Sequence, residues 1–307
     1  MVNVHAEQRR SSDYFRFDKA QVTHRPPASA GPRPGESGRA EMPSIADATD
    51  TIGALAGAAN VILQLSWPAI GWGVRESTQD GNIYYHPMRR ARTTFQYLAV
   101  ATTGSDEDKR KYRREVTRIH SRVRSGAGSP VEYDALDPGL QLWVAACLYI
   151  GYEDAFEWLY GKMTDDEREH FYQSAHVLGT TLQVSREQWP ESRDAFDDYW
   201  YEGAKQIRFD PQVREHLLGI AALRMLPQPA TMLFGKVFSW ITFGFLHAEF
   251  RDALDVPWTP KDQRRFNATL KALAALNRTL PLPIRQIANR VLLVDLRLRV
   301  KLGKSLM

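Results

Sequence analysis

His120 is the residue whose type and surroundings invite the most chemistry. Tyr112, Val116, Ile119 and Val123 recur at the spacing of a core-facing helical stripe. His120 stands about 40° around the helix from Val116, at the edge of that stripe. A porphyrin iron ligand must sit in such a place, where a neutral imidazole meets apolar walls. A satisfied polar residue beside the core sits there too, and spacing does not separate the two. A second constellation lies upstream. Arg90, Thr94, Tyr97 and Ala101 share one face of a helix opened by Pro87, with Leu98 beside them. If buried, the arginine and threonine need polar partners. Either Arg90 reaches water or a neighbouring carboxylate, or the pair marks the mouth of a cavity and points at an anion or an oxygen.

Other arrangements carry less. Glu167-x-x-His170 has half of a di-iron pattern, but no second Glu-x-x-His follows and Glu167 is explained by a capping box with Thr164. Zinc spacing, a phosphate-cradling glycine loop and a nucleophile elbow are absent from the sequence. His86, His176 and His247 are isolated and read as structural or exposed. The single cysteine, Cys147, lies in an apolar stretch and reads as a buried thiol.

These residues must be positioned by helices, because alternating strand patterns are nearly absent. A small apolar helix is expected from Ile52 to Leu65, ended or kinked by Trp67-Pro68. Pro87 opens a helix through about Ala101. Ser105 and Asp108 cap the next, which should run to about Arg124 before Gly126 and Gly128 stop it. Asp137-Pro138 starts a helix to about Tyr160, and Thr164 one through Leu182. Further helices are expected at about 191–207, 211–225, 231–250, 260–278 and 283–301. The fold class is all-α: a single globular domain of about ten helices.

Composition narrows the function. Across 307 residues, 40 Lys and Arg face 36 Asp and Glu, a balance that speaks against a nucleic-acid binder. Residues 1–42 carry a Pro/Gly/Ser tract and are expected to be disordered, leaving residues 43–307 as the helical domain. With no signal-peptide pattern and no clean membrane span, the expectation is cytoplasmic. The 231–250 stretch reads as a core helix. The 283–301 helix is basic and amphipathic. It either packs on the core with its charged side in solvent, or touches an anionic membrane surface, giving a protein peripheral to the membrane.

Several short motifs occur in order: Arg90-x-x-x-Thr94-x-x-Tyr97-Leu98, Gly104, His120-x-x-Val123-x-x-Gly126, Tyr133-x-Ala135-x-Asp137-Pro138 and Trp143-Val144-x-Ala146. Together with Gln64-Leu65-x-Trp67-Pro68 and Gly71-x-Gly73-Val74 they resemble the MpaB-type oxygenases, a family that includes the bacterial latex clearing proteins. The resemblance covers about Ile52 to Tyr199. It implies an all-helical fold around a pocket for one haem b. Its iron ligand maps to His120, and Arg90 and Thr94 fall near the haem on its oxygen-binding side. The latex enzymes carry a lysine just before that threonine; here the place is Thr93, which implies an open or water-bound iron. Their upstream glutamate base has its nearest counterpart in Glu76. The implied reaction uses O₂ on an unsaturated, isoprenoid-like lipophilic substrate. The missing secretion pattern speaks against rubber itself. A haem protein that only binds a ligand, or a lipid-binding helical protein without haem, stays open beside it.

Overall fold

The computed structural model describes residues 42–77 and 82–306. All but the last residue of the N-terminal Pro/Gly tract therefore lies outside the described residues. Two 3₁₀ turns, Ile45–Ala48 and Thr51–Ala56, lead into α1 (Gly57–Gln64) and α2 (Pro68–Arg75), which Pro68 starts at a sharp bend. Then come α3 (Pro87–Thr103), α4 (Asp106–His120) and the long α5 (Pro138–Tyr160). The second half holds α6 (Asp165–Ser174), α7 (Val177–Thr180), α8 (Arg193–Ala204), α9 (Pro211–Ala221) and α10 (Gln228–Phe245). The chain closes with α11 (Ala248–Ala253), α12 (Pro260–Arg278), α13 (Leu282–Arg285) and α14 (Ile287–Lys301). The all-α expectation holds: among the described residues the only strand-like pairing is one antiparallel bridge, Arg124 with Asp134.

The centre is α5. It is apolar almost all round, and from Ala145 to Ile150 every residue is buried, as a helix packed on several sides requires. Trp143 on α5 stacks between Trp67 and Trp200, with ring centroids 4.7 and 4.8 Å away. Gly203 lets this stack close, since a Cβ there would lie 2.5 Å from the Trp143 ring. Lower on α5, Glu153 accepts from Tyr149 (2.7 Å) and pairs with Arg193 (3.0 Å), while Glu157 pairs with Arg168 (3.4 Å). These buried charges are matched, as burial demands. Burial also pushes the Cys147 thiol up, consistent with a core role.

Four elements depart from expectation. The helix expected to reach Arg124 stops at His120, because Val123 and Arg124 turn away to pair with Ala135 and Asp134. The helix expected through Leu182 breaks after Ser174. There the His176 ring holds the Gln173 carbonyl at 2.7 Å, the acceptor the next helical turn needs. The 231–250 stretch divides at Leu246, whose backbone is extended. It is only partly a core helix, since Met232, Leu233, Phe234 and Val237 are exposed. The 283–301 stretch divides at Gln286, and α14 turns the reverse of its expected face outward: its acid and two of its arginines are engaged in ion pairs, while an apolar row faces solvent. No single helix among the described residues is long and apolar enough to cross a membrane.

Candidate functional site

His120 is the last residue of α4, and contacts at the start, the middle and the end of that helix hold it in place. Ser105 caps the start of the helix, accepting from the Asp108 backbone while Asp108 accepts in return. Midway, the Tyr112 hydroxyl donates to the Thr93 carbonyl at 2.7 Å, pinning α4 to α3 one turn from Arg90. Near its end, Gln183 donates to the Thr117 hydroxyl at 2.9 Å, and the Gln183 backbone donates to Gln141 on α5 at 2.8 Å. Gln141 in turn donates to the Ala135 carbonyl at 2.8 Å, closing the loop that follows His120. The end of α4 that carries the imidazole is thus tied to α5 and to the loop that follows by an amide chain through Gln183 and Gln141.

The ring is held neutral. Burial pushes its pKa down to about 4, and the Arg90 cation adds to that push; Gln183 beside it opposes the shift. His120 Nδ1 is fully buried and finds no hydrogen-bond partner, and neither does Gln183 Oε1. Close placement of the two residues therefore does not amount to a completed bond. An unbonded buried ring nitrogen is costly for a residue that serves only the fold.

Arg90 stands close enough to act on His120 electrostatically. Its own pKa is lowered by burial, with only the Tyr112 phenol acting in the other direction. Yet its side chain is exposed to solvent. Among the described residues no carboxylate lies within ion-pair distance of Arg90, so its charge is available for an anion. Thr94, one turn on, is half-buried, as are Ala91, Phe95 and Leu98 on the same side of α3. The adjoining side, Thr93, Gln96, Tyr97 and Val100, is buried, so Tyr97 borders Arg90 at the edge of the core. Apolar surface thus continues from the Arg90–Thr94 pair toward Phe95, which lies against Gly57.

Glu76 caps the end of α2 and accepts from the Tyr133 hydroxyl at 2.7 Å. Burial, with Glu76 next, raises the Tyr133 pKa to about 12. Tyr133 belongs to the loop after His120, so Glu76 is joined to the site through that loop and is no direct neighbour of His120 or Arg90. The Thr93 hydroxyl donates to the Arg90 carbonyl at 3.1 Å. Lys205 is ion-paired with Glu202 at the surface, and the His176 Nδ1 is engaged by Gln173. The Glu-x-x-His pattern dissolves: Glu167 caps its own helix, and among the described residues no group of three His, Cys, Asp or Glu could hold a metal. Sequence reasoning did not find Gln183 and Gln141. Their role depends on a turn 63 positions beyond His120 meeting the start of α5, and nothing local announces that.

Residues 47–275 match the family model described as ER-bound oxygenase mpaB/B'/rubber oxygenase, catalytic domain. This chain belongs to that oxygenase family. The other likenesses agree with the match. Uncharacterized proteins of Mycobacterium bovis and Mycobacterium tuberculosis are each 45% identical over 250 residues, covering 81% of this chain and 98% of theirs. The fold is that of a solved latex clearing protein in its closed state, with a TM-score of 0.51 at 18% identity over 94% of this chain and 85% of that one. Family membership supports oxygenase chemistry, which takes O₂ and a small lipophilic molecule.

Proposed function

We propose that this mpaB/rubber-oxygenase family chain is a haem b-dependent oxygenase of an unsaturated, isoprenoid-like lipophilic substrate, with His120 as the iron ligand. The observation that carries the reading is His120 itself: a half-buried, neutral imidazole whose Nδ1 is buried and unbonded, within electrostatic reach of an arginine that lacks a carboxylate partner among the described residues. Both halves suit a haem, whose iron takes a neutral imidazole and whose propionates take a guanidinium. Bound haem would supply the activation of O₂.

The protein's own residues do the rest. The Gln183–Gln141 chain holds α4 so that His120 is fixed in position before any ligand arrives. Arg90 supplies positive charge to a propionate, a substrate carboxylate or bound oxygen. Thr94 supplies a hydroxyl one turn further along the same face. Ala91, Phe95 and Leu98 give apolar wall for a greasy substrate and keep water from the reacting end. Glu76, held by Tyr133 in the loop after His120, acts as base only on a substrate that reaches that loop, since it does not touch His120 or Arg90. The fold does not choose the substrate.

The test is reconstitution. The purified chain titrated with haemin should give a Soret band that saturates at one haem per chain, and His120→Ala should lose it while keeping its helical circular dichroism. Equal haem content in the two proteins would remove His120 as the ligand. A wild-type chain that takes up no haem but binds a fatty ligand would replace the reading with that of a lipid-binding protein.

A further inference from the structure

The face that α14 turns to solvent is apolar. Ile287, Val291, Val294, Leu298 and Leu302 recur at i, i+4, i+7, i+11 and i+15, and each is more than half exposed, from 52% to 62%. The opposite face already packs on the core through Leu293 and Leu296. A helix with an apolar row on each side has one row left without a partner. Leu280, Leu282 and Ile284 just before it are exposed as well, extending the row toward the end of α12.

Charge names the partner. Residues 263–306 contain ten Lys and Arg and a single acid, Asp295. That acid is spent inward, on Arg92 at 3.5 Å and Arg299 at 2.9 Å. Arg290, Arg297 and Lys301 run at i, i+7 and i+11 along one flank of the apolar row and are exposed; Arg297 also pairs with Asp108. Lys304, and Arg264, Arg265 and Lys271 on α12, are exposed too. The chain's whole formal charge is only +4, so this one segment holds more than all of the excess. The N-terminal segment is a poor cover for such a face, since residues 1–41 carry seven Lys and Arg against five acids. A second copy would bring basic flank against basic flank.

We infer that the α12–α14 end of the molecule is a docking surface for an anionic lipid bilayer, with the apolar row of α14 lying in the headgroup region and the basic flank meeting lipid phosphates and carboxylates. An exposed apolar row bordered by Lys and Arg is what an interfacial helix requires. A nucleic acid would use the charge but leave the apolar row in water. The inference does not rest on haem at His120: docking needs only the outer face of α14.

Cosedimentation of the full chain with vesicles tests it. The chain should pellet with phosphatidylcholine vesicles containing phosphatidylserine, and about tenfold or more weaker with phosphatidylcholine alone. Arg290→Glu with Lys301→Glu should weaken binding to the mixed vesicles by about thirtyfold or more. Val294→Ser with Leu298→Ser should weaken it about tenfold. All of these side chains are exposed, so the variants should keep the wild-type melting temperature. Equal binding to both vesicle types, no binding, or variants that bind as wild type would overturn the inference. So would a dimer in sedimentation velocity that Val294→Ser with Leu298→Ser dissociates, or a basic-patch variant that loses DNA binding while its vesicle binding stands.

Discussion

At the scale of single residues, His120 and Arg90 act as a pair. His120→Ala should remove stable haem binding, whereas Arg90→Ala should leave haem bound but weaken it about tenfold, the worth of a charge-assisted pair. Haemin titration of the two variants separates these outcomes; an Arg90→Ala protein with wild-type affinity would show that the guanidinium serves no anion on the haem. The Thr93 hydroxyl is turned to its own helix and Lys205 is held at the surface. Among the described residues, Thr93, Lys205 and the His176 Nδ1 are thus engaged elsewhere and would not compete for a bound iron. Ferric reconstituted protein should give a dominant high-spin signal in electron paramagnetic resonance and bind added imidazole; a low-spin spectrum indifferent to imidazole would contradict this. Both residues could be found in the sequence because each breaks an apolar helical face. Gln183 could not: it lies in a turn, and its importance arises only where that turn meets Thr117.

The elements matter through the two ends of α4. Ser105 and Asp108 cap one end and His120 closes the other, and Asp108 also receives Arg297 from α14 at 2.9 Å. Ser105→Ala should cost about 1 kcal/mol of stability and leave haem affinity unchanged, as a denaturant melt and a haemin titration would show. A loss of haem binding without a loss of stability would mean the cap positions the site more directly than the contacts indicate. Capping boxes, proline starts and the Asp137 cap were legible from the sequence because each is a local pattern with its own hydrogen bonds. The end of α4 was not. Nothing in Ser121-Arg122-Val123 forbids another turn, and what stops the helix is pairing with residues 134 and 135. The outward face of α14 was misread for a related reason: Asp295 and Arg299 look like a solvated face until Arg92 is found waiting inside.

The whole molecule binds its pH response to two histidines of opposite sign, one half-buried and one buried. His120 is held at about pKa 4, below the ordinary 6.5, so the unfolded chain takes up its proton first. The stability that this adds is full above pH 6.5 and is lost as pH falls toward 4. His247 is held at about 10 by Asp154 at 2.8 Å, with Glu249 at 3.7 Å, against the burial that would lower it. Its contribution is full below pH 6.5 and is lost as pH rises toward 10. Melting temperatures from pH 4 to 10 should thus fall on both sides. His247→Gln should lower the curve and flatten its alkaline limb, and an unchanged alkaline limb would show that the pair is not protonated in the fold. The same neutral His120 sets the central test, the pH dependence of haem uptake by the full chain, read at the Soret band. Affinity should stay level from pH 8 to about 5 and fall only toward 4, because no proton competes with iron for His120 until then; His120→Ala should show no saturating Soret band at any of these pH values. A fall in affinity centred near 6.5 would contradict the depressed pKa of the imidazole, and a His120→Ala protein that binds haem as the wild type does would contradict the assignment of His120 as the iron ligand.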